Sequence, residues 1–104
     1  LAALFDQVDF IISATNPDTA FPARLEVNTR VAGEKVDLGN NGALTIPYNI
    51  VGNPAVTIPI EQLDGLPVGM QVATRHHAEE LLLDLAATAE SQCPWPLVAP
   101  GAPV

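Results

Sequence analysis

Residues 45–71 read TIPYNIVGNPAVTIPIEQLDGLPVGMQ, and this stretch decides the fold. It holds two short runs of strand-forming residues, 55–58 and 68–73 when extended through Val72 and Ala73, joined through a turn that contains Asp64-Gly65. Asp and Gly both tolerate positive φ, so a tight turn accounts for the pair without a phosphate or metal loop. Pro59 and Pro67 bracket the connection, and a residue with no amide hydrogen does not fit a central ladder position. On its residues alone, the part before the first strand, 42–52, reads as a loop.

Working outward, residues 78–90 place Ala78, Leu81, Leu82, Leu85, Ala86 and Ala89 on one helical face, with Glu79, Glu80 and Asp84 opposite. The tail that follows carries Pro94, Pro96, Pro100 and Pro103 and reads as extended, packed through Trp95. Upstream, residues 1–7 read as the end of a helix with Leu1, Leu4 and Phe5 on one side. A buried strand over residues 10–13 follows from the continuous apolar run Phe10-Ile11-Ile12. Pro17, Asp18 and Pro22 then end it in a turn. Residues 25–41, polar and broken by Gly33 and Gly39, read as a surface excursion with short extended pieces. Strands mixed with helices make the chain α/β, with no internal repeat.

The 104 residues are 48% hydrophobic and only 15% charged, with a formal net charge of -8. So apolar a composition in so small a body predicts that a larger body covers part of it. The acidic balance excludes direct binding to nucleic acid or an anionic membrane, because Arg24, Arg30, Lys35 and Arg75 are scattered. No apolar run reaches the roughly 20 residues of a membrane span. The single cysteine, Cys93, cannot form an internal disulfide, which fits a reducing, cytoplasmic setting.

Individual reactive residues point to little chemistry. His76 and His77 are sequence neighbours, which diverge by about 100 degrees on a helix, and no partner at ligand spacing completes a metal site. Cys93 lacks a neighbouring His or Lys that would activate a thiol. Lys35, in Gly-Glu-Lys-Val, reads as a solvated surface lysine.

Several motifs fall together in register: N-x-x-G-x-P-A at Asn49, Gly52, Pro54 and Ala55, then Thr57-Ile58-Pro59, then DGLPVGMQ over residues 64–71. Upstream lies FIISATNPDTA over residues 10–20, and downstream Arg75 precedes AEELLLDLAATAE. This set resembles the C-terminal region of the amidase signature hydrolases, with residues 24–41 as the poorly matched stretch. The resemblance implies a mixed-sheet α/β/α fold, of which residues 1–104 would be the C-terminal portion of one domain.

It also implies a helix beginning near Gly42, capped by Asn40 or Asn41, bent at Pro47 and ended by a left-handed Gly52. In the family that helix faces the acyl side of the substrate, with the positions of Gly42 and Ile46 lining the pocket one turn apart. Tyr48, Asn49 and Asn53 are further substrate-binding candidates; for Asn49 the alternative is a hydrogen bond to a buried backbone group, and for Gly42 a plain helix-start residue.

The family hydrolyses amides with a Ser nucleophile, a bridging Ser in a cis peptide and a Lys base, set in regions that precede this one. Here the only serines are Ser13 and Ser91, the only lysine is Lys35, and none lies in a Gly/Ser-rich run. No catalytic residue is therefore assigned within the chain. The resemblance implies no cofactor and no metal. Its implied partners are a small-molecule amide, the remainder of the amidase domain, and a second copy in a homodimer.

The parent reaction would form an acyl-enzyme, release ammonia or an amine, and hydrolyse the ester. A chain inactive alone follows. The alternatives are a stand-alone or degenerate module that binds a partner, and a glutamine-dependent tRNA amidotransferase A subunit. Such A subunits carry an Asp at the position of Gly42, where it can pair with the amino group of glutamine; Gly42 favours a substrate that is neutral or apolar there. Thr74 stands where the family often has Gly.

Overall fold

The computed structural model describes residues 1–98. Pro and Gly breaks cut these into short elements: helix α1 (Ala2–Phe5), strand β1 (Ile11–Ala14), strands β2 (Arg30–Val31) and β3 (Glu34–Lys35), a 3-10 turn (Leu38–Gly42), helix α2 (Ile46–Val51), strands β4 (Ala55–Leu63) and β5 (Leu66–Ala73), and helix α3 (Glu79–Gln92). The mixed α/β class is as expected. Pro100 and Pro103 of the expected extended tail lie outside the described residues.

β4 and β5 form the hairpin that organises the rest. Its two-residue turn has φ of 52° at Asp64 and 79° at Gly65, the double positive φ that matches the twist of the flanking strands. Both strands run further than residues 55–58 and 68–73, because pairing resumes past an irregularity between Pro59 and Gln62. Pro59 lies on β4, an edge strand in the order β1-β5-β4. Pro67 lies on the central strand, but β1 pairs with it only from Met70 to Ala73. Each proline thus sits where one side of its strand is unpaired, as its missing amide requires.

Cross-strand partners share a face, so Val56 with Val72, and Ile58 with Met70, line one side of the sheet. α3 lies against that side. Ile58, Val72 and Leu82 form the buried centre, with Phe10, Met70, Leu85, Ala86, Ala89 and Trp95 among the residues packed on it. Burying a Leu or Val side chain contributes roughly 1.5–3 kcal/mol. Of the expected helical face of α3, Leu82, Leu85, Ala86 and Ala89 pack on the core, but Leu81 is 39% exposed beside it; the tail packs through Trp95, and Glu79, Glu80 and Asp84 face solvent.

Two expectations are corrected. β1 is shifted by one residue and is not buried on both faces: it is an outer strand, and Ile12 is 62% exposed beside the fully buried Val72. α3 packs against β4 and leaves that edge uncovered. The helix expected from Gly42 begins only at Ile46, with Thr45 as its N-cap and no side-chain capping bond. The Asn41 amide is committed elsewhere, exchanging bonds with the main chain of Asn28 (2.7 and 3.1 Å). Pro47 does not bend the helix, because it occupies the first turn, where an amide hydrogen is not needed. Gly52 ends α2 at φ 84°, as expected, its amide donating to the Tyr48 carbonyl at 2.7 Å.

The excursion of residues 25–41 contains the β2–β3 hairpin, turned by Ala32 at φ 52° and Gly33 at φ 83°. Asp18 ties it to the turn after β1: its carboxylate accepts from the Ala32 amide at 3.0 Å and the Thr19 amide at 2.7 Å. Those two amides hold the Asp18 carboxyl below its ordinary value of 3.8.

Candidate functional site

On the sheet face away from α3, Gln71 and its cross-strand partners Ser13 and Thr57 make a polar strip. Gln71 is 4% exposed. Its side-chain amide donates to the Leu44 carbonyl at 2.8 Å and to Ser13 Oγ at 3.3 Å. Leu44 lies in the turn between the 3-10 segment and α2, so the central strand grips the lead-in to the helix.

The exit of α2 is held separately. Asn53 Nδ2 donates to the Thr74 carbonyl at 3.0 Å, and His76 Nε2 lies 2.9 Å from the Val51 carbonyl. Thr74, fully buried, donates its hydroxyl to the Asp9 carbonyl at 2.8 Å and its amide to the Pro54 carbonyl at 3.1 Å. An exposed ion pair, Arg75 to Asp9 at 2.7 Å, closes the same corner.

Gly42 and Ile46 are brought together. A Cβ at Gly42 would lie 2.7 Å from Ile46 Cγ1, so the Ile46 side chain covers the glycine directly. Tyr48, half-buried, and Asn49, exposed, follow on α2. Asn53 is not part of that group; it lies beyond the helix end and lines a cleft of about 250 Å³ with Phe5, Asp6, Arg75 and His76. Its Oδ1 is buried without a hydrogen-bond partner. The role of satisfying a buried backbone carbonyl, considered for Asn49, falls to Asn53 instead.

Other reactive residues stay apart. The His76 and His77 rings are 6.3 Å apart and tilted by 54°, and among the described residues no three His, Cys, Asp or Glu side chains are grouped as metal ligands. Cys93 is exposed. Lys35 is exposed on the β2–β3 hairpin. Ser13, at the edge of the polar strip, donates its hydroxyl to the Ala14 carbonyl at 2.9 Å.

A sequence profile described as Amidase matches residues 1–83, most of the chain. The chain belongs to the amidase signature family. Its curated relatives include the glutamyl-tRNA(Gln) amidotransferase A subunit of Lacticaseibacillus casei (strain BL23), 35% identical over 94% of this chain and 19% of that protein. The corresponding protein of Syntrophomonas wolfei is 38% identical over 95% of this chain and 19% of its own length.

Among solved structures, a bacterial aryl acylamidase of the amidase signature family matches 90% of this chain and 20% of its own length, with a TM-score of 0.76 and 26% identity. The glutamyl-tRNA(Gln) amidotransferase A subunit from Thermotoga maritima matches with a TM-score of 0.69 and 30% identity, again over 90% and 20%. The mixed α/β fold is thus an amidase signature fold, and the chain spans about one fifth of these relatives. Among the described residues of this amidase signature chain, no helix is long and apolar enough to cross a membrane.

Gln71 and Thr74 hold the two ends of α2 through their hydrogen bonds; sequence reasoning gave Gln71 no role and noted Thr74 only as a departure from the family pattern. The available signal was polarity inside an apolar run: Gln71 interrupts Val68 to Ala73, and Thr74 directly extends it. Buried polar groups at such places almost always serve another buried polar group.

Proposed function

We propose that residues 1–104 are the C-terminal portion of an amidase signature domain and form one wall of its acyl pocket, with Gly42 and Ile46 at the surface of that wall. The reaction is hydrolysis of a small-molecule amide through an acyl-enzyme, carried by a Ser–cis-Ser–Lys set outside this chain. The observation that carries the reading is the match of 90% of the chain to one fifth of an aryl acylamidase. Surface supports it. A compact globule of 10.9 kDa exposes about 5,600 Å², whereas this chain exposes 7639 Å². The difference is of the size that obligate interfaces bury.

Two preparations test the reading. The 104-residue chain alone is expected to turn over no aliphatic or aromatic amide, and the protein translated from the complete reading frame that contains it is expected to do so. Turnover by the short chain that vanishes with Ser13→Ala or Ser91→Ala would place the nucleophile here and overturn the proposal. No amide turnover by the complete product would favour a partner-binding module.

A second reading, a glutamine-dependent amidotransferase A subunit, is favoured by relatives of that name at 35% and 38% identity. Gly42 opposes it, because no carboxylate stands there to pair with the amino group of glutamine. Glutaminase activity in the complete product, exceeding turnover of simple amides, would decide for this reading.

A further inference from the structure

We infer that Gln71 is a positioning residue that holds the wall formed by residues 42–51 against the sheet; the consequence for substrates rests on the pocket reading above, but the tie itself does not. α2 is poorly placed to hold itself. It has six residues, none of them buried, and no side-chain capping bond at its N-terminus. A helix that short gains little from its own hydrogen bonds, and one with no buried residue gains little from packing. Its position is set by what grips its two ends.

At the exit, the grips involve Asn53, the Thr74 carbonyl and His76. At the entry, the Gln71 side chain reaches the Leu44 carbonyl, midway between Gly42 and Ile46. Gln71 suits this task because its backbone is fixed on both sides, paired with Ser13 on β1 and Thr57 on β4. The Ser13 hydroxyl donates to Ala14 and presents a lone pair to the Gln71 amide, which orients that amide toward Leu44. A buried, doubly engaged amide on the central strand is thus the fixed point from which the Gly42–Ile46 surface is set out.

The test uses the protein translated from the complete reading frame, with Gln71→Met, which preserves length and approximate volume but removes both donors. Losing the bond to the Leu44 carbonyl should speed amide hydrogen exchange across residues 43–52 by roughly fivefold to tenfold, with Val72 and Leu82 unchanged. In the same variant KM should rise by a similar factor for amides with long acyl groups, with kcat and the KM of the smallest amides held. Unchanged exchange over residues 43–52 would overturn the inference, as would equal acceleration there and at Val72 and Leu82, since that pattern is general destabilisation. Local loosening without any change in KM leaves the tie standing and overturns the placement of Gly42 and Ile46 at the acyl pocket.

Discussion

A methyl group added at Gly42 would press on Cγ1 of Ile46, so this β-branched side chain, 47% exposed, would have to change χ1 to make room. A larger residue at Gly42 should therefore reshape this surface by displacing Ile46, and a stability measurement on the same variant separates that effect from misfolding. Gly42→Leu in the complete protein is expected to reduce kcat/KM increasingly as the acyl chain lengthens, sparing the smallest amides. A uniform loss across chain lengths in a folded variant would reduce Gly42 to a helix-start residue. Thr74 behaves oppositely, being fully buried with its hydroxyl on the Asp9 carbonyl. Thr74→Val keeps the shape and removes that bond, so urea unfolding should show a loss of about 1 kcal/mol; no loss would mean that water satisfies Asp9 equally well. Asp18 responds to pH. Its folded value is depressed by the Ala32 and Thr19 amides, so its tie to the β2–β3 hairpin is intact above the ordinary value of 3.8 and lost as pH falls through the lower folded value. The Ala32 amide resonance should follow that titration, and Asp18→Asn should abolish it.

Among the elements, those whose signal is local were legible in the sequence. Asp64-Gly65 fixes the β4–β5 turn, and the spacing of Leu82, Leu85, Ala86 and Ala89 fixes the face of α3. The start of α2 was not legible, since it depends on Asn41 being engaged by Asn28, thirteen residues away. The exposure of Ile12 was hidden for a similar reason: an apolar run records that a residue prefers burial, not that a neighbouring element supplies it. Of the candidate site, Gly42 and Ile46 do meet, but not as one turn of a single helix: Gly42 ends the 3-10 segment and Ile46 opens α2, whereas the separation of Asn53 from them follows from its bond to Thr74. The sheet–helix core gives the sharpest test at this scale. Leu82 is 3% exposed and sits with Ile58 and Val72, so Leu82→Ala should cost roughly 2–5 kcal/mol. Leu83→Ala, at 65% exposure, should cost far less unless the rest of the protein covers it.

For the whole molecule, the imbalance between buried and exposed apolar groups determines how it behaves. Only Phe5, Ile58, Val72, Ala73 and Leu82 are buried hydrophobics among the described residues, while Ile12, Ile50, Ile60, Leu63 and Leu83 are more than half exposed. The radius of gyration is 15.5 Å, against about 13 Å for a compact domain of this length. So small a buried core has little to offset the conformational entropy of ordering the chain. The isolated 104-residue chain is therefore expected to bind a hydrophobic dye and to melt over a broad range, while the complete protein shows a sharp transition and little dye binding. Sedimentation of the isolated chain separates the remaining cases, because a homodimer that hides the same apolar groups would also suppress dye binding. A monomer that melts sharply without binding dye would show that the exposed surface needs no cover, and would remove the support that surface area lends to a larger amidase body.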